Sequence, residues 1–267
     1  MRHMVSRYFK LWLAFFRNTL SRDMEFKMNF IFELFIDAIY YGSLFFFFEV
    51  IFQFVDSLGE FNHDAVIIFL ITLYISDSLY TFILGGNVFE VNNKVVTGDL
   101  DFILLKPIKS QFFISFRYVN TYSIVSLILL SILLVNLTFN YHENSFLVIN
   151  YIFYIISLLL GIVIFYSIEF MIASLSFWFR SFSHAGWLAN ELIKYSRRPD
   201  SIYNNWFRKI LFSAFPMAMI SSVPARILIF GFDYKLMLLQ FIVSIIFLWL
   251  TTVIWSRGLL RYESASS

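Results

Sequence analysis

What most constrains this chain is the length of its apolar stretches. Six segments, at about 29–54, 65–86, 112–138, 147–173, 209–230 and 235–256, are each long enough and apolar enough to cross a bilayer. A helix needs about 20 such residues to do so, and only a helix satisfies its own backbone hydrogen bonds inside lipid. The composition agrees, with 60% of the 267 residues hydrophobic and 14% charged; a soluble domain holds about 45–50% and about 25%. The 36 phenylalanines exceed what one soluble core could bury. The expected fold is an all-α integral membrane protein with six transmembrane helices, a single domain over residues 1–267. The fifth segment is the least regular, because Pro216 and Pro224 each remove a backbone donor. A broken helix or a re-entrant hairpin is expected there.

Charge sets the orientation. Cytoplasmic loops retain lysine and arginine, and 18 of the 20 fall in four regions: residues 1–27, 87–118, 174–209 and the tail after 256. Only Arg226 and Lys235 fall on the other side. This split predicts that both termini and the 87–118 and 174–209 regions are cytoplasmic. The first seventeen residues carry Arg2, Arg7, Lys10 and Arg17 without a small-residue cleavage site, unlike a cleaved signal peptide. Within residues 1–24, Tyr8, Phe9, Trp12, Leu13, Phe16 and Leu20 recur at helical spacing opposite basic residues. That pattern predicts a helix lying in the membrane interface against lipid headgroups. A second interfacial helix is expected over 182–195.

Several chemistries are excluded. There is no cysteine, hence no disulfide or thiolate metal site. The formal charge of +2 gives no sign of a nucleic-acid partner. No GxxxxGK[ST] phosphate loop, HExxH or GxSxG occurs, so neither ATP hydrolysis nor another catalytic function is expected, and no cofactor or metal. His3, His63, His142 and His184 are scattered and read as solvated loop residues.

The intramembrane acids are Glu33 and Asp37, four apart on one face of the first span, with Asp77 in the second and Glu169 in the fourth. Glu49 lies near the outer end of the first. A charge at mid-bilayer costs about 2.5–3.5 kcal/mol on insertion scales, so such groups face protein or water. They support two readings. In one, a proton or cation pathway makes this an ion-coupled transporter. In the other the acids are structural, hydrated near the interface or bonded across helices, and the absence of a basic residue at mid-depth favours this second reading.

Between the second and third spans the sequence turns polar: GDLDFILLKPIKSQFF at residues 98–113. Gly98 can adopt an unusual backbone angle, Asp99 can cap a helix, and Leu100, Ile103 and Leu104 would share one face of it. Pro107 stops that helix. The product is a short amphipathic helix just outside the membrane, suited to docking in a groove of a soluble partner, or else a solvated loop.

This segment resembles the G-[DE]-L-D-x-x-L-x-K-P signature of the permeases of ABC-2 type transporters. MEFKMNFIFEL at 24–34, RRPDSIYNNWFRKILFSAFPMAMISSVPARILIFG at 197–231 and WSRGLLRYESASS at 255–267 are similar to further stretches of that family, in the same order. The resemblance implies a six-span subunit of an exporter in the inner (cytoplasmic) membrane, paired with a second permease of the same or a sister chain. It would be driven by ABC ATPase subunits docked from the cytoplasm. It also implies that residues 98–107, with Gly98, Asp99, Leu100, Asp101, Leu104, Lys106 and Pro107, form or adjoin the coupling helix. The N-terminal helix would be the family's connecting helix and the region after Pro216 its outer re-entrant element.

Overall fold

A computed structural model describes residues 2–141, 148–179 and 185–262. His142, Arg180, His184, the expected helix start at 182–184 and the last five residues lie outside the described residues.

The chain opens with α1 (Arg2–Glu25) and α2 (Lys27–Phe52), joined at Phe26. A small hairpin, β1 (Ser57–Leu58) and β2 (Phe61–Asn62), turns it back. Asn62 then caps α3 (His63–Leu84), its side-chain oxygen accepting from the Ala65 N–H at 3.0 Å. Next come α4 (Glu90–Thr97), α5 (Leu100–Leu104), α6 (Ser110–Phe116), α7 (Ser123–Tyr141) and α8 (Val148–Ser174). The chain ends with α9 (Ala185–Ile193), α10 (Asn205–Leu211), α11 (Ala218–Phe230) and α12 (Tyr234–Arg261). Among the described residues, five helices are long and apolar enough to cross a membrane: α2, α3, α7, α8 extended to Phe177, and α12. The protein is a multi-pass all-α membrane protein.

Two of the expected spans differ. The third does not run unbroken over 112–138: α6 stops at Phe116 and α7 starts at Ser123. The side chain of Asn87 takes over the hydrogen bonds that a helix would have made there. Its oxygen accepts from the Tyr118 N–H at 2.9 Å, and its amide donates to the carbonyls of Ser115 and Tyr118 at 3.2 and 2.7 Å. Gly85, at φ 53°, lets the end of α3 approach this break; a Cβ there would lie 2.6 Å from the Tyr118 carbonyl oxygen.

The fifth expected span, 209–230, is two helices. At 13 residues α11 reaches only about 20 Å, short of the roughly 30 Å core. Call the end of the bundle carrying the hairpin the far end, and the end carrying α5 the near end. Arg208 of α10 sits beside Glu60 of the hairpin at 3.8 Å, and Phe230 of α11 meets Phe61 at 5.5 Å. Between them, Leu211, Met217 and Ile220 are buried in one cluster with Tyr80 of α3 and Ile164 and Phe165 of α8. The pair therefore enters and leaves by the far end, turning at Pro216. Pro224 frees the Ile220 carbonyl within α11, and the Ser76 hydroxyl of α3 reaches it at 3.5 Å.

It follows that residues 174–209 are not one loop at the near end. Phe177 packs on Trp255 and Tyr262 at the near end, whereas Ser201 donates to the Leu58 carbonyl at 2.8 Å at the far end. The chain traverses the bundle through α9 and the 3-10 turns Lys194–Arg197 and Asp200–Ile202. This traverse was concealed in the sequence because it has no long apolar run.

α8 sits centrally, against α3, α9, α11 and α12. Small and polar residues join these helices, as they do where lipid supplies no hydrophobic drive between helices. Ser244 and Thr251 of α12 donate to the Leu160 and Ser167 carbonyls, each at 3.2 Å. Buried Gln240 is satisfied by Ser157 and by the Met219 carbonyl.

Candidate functional site

Two places could carry function: the polar segment at the near end and the acids within the bundle.

The segment is held from several sides. Gly98 has φ 83°, a left-handed angle that starts α5 abruptly after α4. Asp99 does not cap α5; its carboxylate accepts instead from the Thr97 hydroxyl at 2.8 Å. Leu100 (0% exposed) and Ile103 (5%) point inward, packed with Val88, Val91, Ile114, Phe170 and Trp255. They therefore do not share an outward face with Leu104. The outward apolar surface is Phe102 (69% exposed) and Leu105 (82%), flanked by Leu104 (41%). With five residues between two turns, the inward and outward sets follow directly from helical spacing: 100 and 103 inward, 102 and 105 outward.

α1 braces the far side of this segment. Arg7 donates to the Pro107 carbonyl at 3.0 Å, and the Tyr8 hydroxyl accepts from the Lys109 N–H at 3.3 Å. Tyr8 packs on Phe112, Phe15 on Phe113, and Trp12 and Phe16 on Phe82. Part of the expected lipid-facing stripe thus serves as a protein contact, while Phe9 stays exposed. Lys106 lies over the Phe113 ring at 5.2 Å. Past the end of α12, Tyr262 places its ring on Phe177 and its hydroxyl toward Asp101. Burial and that carboxylate push the phenol up to about 12.

The intramembrane acids occupy α2, α3 and α8. Glu33 lines a cleft of about 450 Å³ with Asp23, Asn29, Asn120 and Tyr122. Asp37 accepts from the Ser126 hydroxyl of α7 at 3.3 Å. Asp77 lines a small cavity deeper in the bundle, with Tyr40, Tyr74 and Ser76. Glu169 is 2% exposed, and its Oε2 has no hydrogen-bond partner among the described residues. Glu49 Oε1, at the far end, accepts a hydrogen bond from His63 Nε2 at 2.9 Å, so His63 is not a lone loop histidine.

The expectation of no basic residue at depth is overturned. Arg197 lines the Asp77 cavity and places its guanidinium 5.4 Å from the centre of the Tyr40 ring. The sequence assigned it to a loop because it sits in the polar run SRRPDS. The usable signal was that 182–230 is long enough to enter the bundle twice.

A further charged cluster, not foreseen, closes the far end. Asp200 is fully buried and takes Arg226 Nε and Nη2 at 2.9 and 3.0 Å and Arg208 Nη2 at 2.7 Å. Arg226 Nη2 also reaches Glu60 at 2.6 Å. That hydrogen bond holds the Glu60 carboxyl below the usual range, against a smaller effect of burial.

A family model described as "ABC-2 family transporter protein" matches residues 38–266, from within α2 to the tail. No curated protein and no solved structure matches the chain. Members of this family are membrane transport components, not themselves catalytic, and the family in general implies an ABC ATPase partner. The match covers most of the chain, including the polar segment at the near end and the charged cluster at the far end: this protein belongs to the ABC-2 transporter family.

Proposed function

We propose that this chain is the membrane-spanning subunit of an ABC exporter, powered by ATP hydrolysed on a separate subunit that docks on α5 from the cytoplasm. The observation that carries this reading is the outward pair Phe102 and Leu105. They form an exposed apolar knob on a helix anchored inward by Leu100 and Ile103 and braced by α1. A knob on a stiff support can be pushed as a unit, and closure of a partner around it would reach α3 and α6 through the contacts at Gly85 and Asn87. Gly98, Asp99 and Pro107 set the shape of the support, Lys106 and Asp101 its charged edges.

Orientation rests on the basic residues that the fold still gathers at the near end. The twelve in residues 1–27, 87–118 and the tail favour a cytoplasmic near end and cytoplasmic termini. The outward direction, the inner membrane and the pairing with a second permease, of the same or a sister chain, are carried over from the family resemblance.

The test is a mild-detergent pull-down of the tagged protein from its native host with mass spectrometry. An ATP-binding subunit near stoichiometry supports the reading. Recovery of the chain alone, even after prior cross-linking, contradicts it.

A further inference from the structure

The basic residues of the near end differ in what they face. Arg22 pairs with Asp23, and Lys94 with Glu90. Arg7 and Lys10 of α1 and Lys106 after α5 instead converge on one cleft of about 470 Å³, which no acidic side chain lines. None of the three has a carboxylate partner among the described residues. Arg7 and Lys10 are three apart and share a face of α1, which Leu11 and Ala14 continue. The bond from Arg7 Nη2 to the Pro107 carbonyl, at 3.0 Å, fixes the guanidinium and leaves most of its donors unused. Lys106 leans over the Phe113 ring, its amine 5.2 Å from the ring centre. Phe113, Phe15, Pro107 and Ile108 give the cleft an apolar lining. Three like charges around one cleft repel each other until an anion joins them.

We infer that this cleft is a discrete site for one anionic phospholipid, its phosphate held between Arg7, Lys10 and Lys106 and its first methylenes lying on Phe15, Ile108 and Phe113. A guanidinium fork and two ammonium groups match the oxygens of a phosphodiester in charge and in hydrogen bonding. Basic residues beside apolar surface at the membrane interface are what anionic lipids meet. Phe9, next to Lys10 on α1, is exposed and extends the apolar surface beside the cleft. The lining favours a lipid over free phosphate, which gains nothing from Phe15 and Phe113. The site is more than a basic helix face lying on headgroups, because its third cation comes from the turn after α5. A lipid bound there would tie α1 to that turn, adding to the Arg7–Pro107 and Tyr8–Lys109 hydrogen bonds. The site needs no ATPase subunit and stands apart from the docking role of α5.

The probe is phosphatidylglycerol labelled on its acyl chain, with phosphatidylcholine carrying the same chains and label as the zwitterionic control. Binding is read by fluorescence anisotropy on the purified full chain in mild detergent. The wild type should bind phosphatidylglycerol saturably and phosphatidylcholine much more weakly. Lys10→Gln/Lys106→Gln, which keeps the Arg7–Pro107 contact, should weaken phosphatidylglycerol by ~10-fold. Lys10→Arg/Lys106→Arg keeps the charge and should bind within about twofold of wild type. Arg257→Gln/Arg261→Gln removes the same charge from the near end of α12, outside the cleft, and should change binding by less than about twofold. If the double glutamine variant is not monodisperse, Lys106→Gln alone should weaken binding by ~3-fold. The proposal is overturned if the wild type does not bind saturably, if phosphatidylcholine binds equally, or if the cleft variants bind as wild type does. Equal weakening by the α12 variant would reduce the effect to overall charge and overturn it too. Displacement of the lipid by millimolar inorganic phosphate would mark a free-anion site and overturn the lipid assignment. Because the assay contains no ATPase subunit, its failure leaves the docking role of α5 standing, and a failed pull-down leaves this site standing.

Discussion

The two ends of the bundle are built on opposite principles. At the far end, charges are turned inward. Asp200, fully buried, is gripped by Arg226 and Arg208, and Glu60 completes the cluster, so the hairpin, the traverse and the α10–α11 pair are tied into one unit. At the near end, apolar groups are turned outward. Phe102 and Leu105 stand free of their own chain although Leu100 and Ile103, on the same short helix, are buried. A cluster of satisfied charges closes a surface against partners. An exposed apolar knob on a rigid base leaves a surface to be completed by one.

Breaking the far end should cost most. Removing one member of a buried ion pair strands the others, and Asp200→Ala is expected to destabilise the protein by about 3–5 kcal/mol, read as a lower thermal midpoint in detergent. An unchanged midpoint would mean that the cluster does not hold the far end shut.

At the near end, inward and outward positions should separate cleanly. Leu100→Ala opens a cavity in the packing beneath α5 and should cost about 3 kcal/mol. Phe102→Ala, at an exposed position, should change stability by less than about 0.5 kcal/mol. Equal losses from the two would erase the distinction between anchor and knob.

The smallest effect concerns pH at the far end. Arg226 lowers the folded-state pKa of Glu60, so this contact contributes stability above the unfolded carboxylate value of about 4.3. The contribution fades as pH falls through the depressed folded value. With Glu60 half exposed the contribution is slight. Glu60→Gln should flatten only a small part of the acid-side decline in melting temperature; a Gln variant with a steeper acid decline would contradict the assignment.

The membrane class, the existence of the long apolar helices α2, α3, α8 and α12, and the irregularity around Pro216 were legible in sequence, because apolar runs and proline act locally. What was not legible depends on side chains from elsewhere in the chain. Nothing in FISFRYVNTYS announces that Asn87, some thirty residues earlier, will take the carbonyls that end α6. The traverse through Arg197 to Asp200 was hidden because a crossing buried in protein needs no continuous apolar run. At the candidate site the segment 98–107 stood out by its polarity. Its facing did not, because Leu100, Phe102, Leu104 and Leu105 are equally apolar, and only packing on Val88 and Trp255 decides which of them turns inward.

The central claim is that Phe102 and Leu105 are where an ATPase subunit docks. The most direct measurement is the stoichiometry of ATP-binding subunit recovered with the Phe102→Asp/Leu105→Asp protein, beside wild type, under matched mild detergent. The account predicts loss of the ATPase subunit at an unchanged melting temperature. Full recovery of that subunit with both charges in place would contradict it.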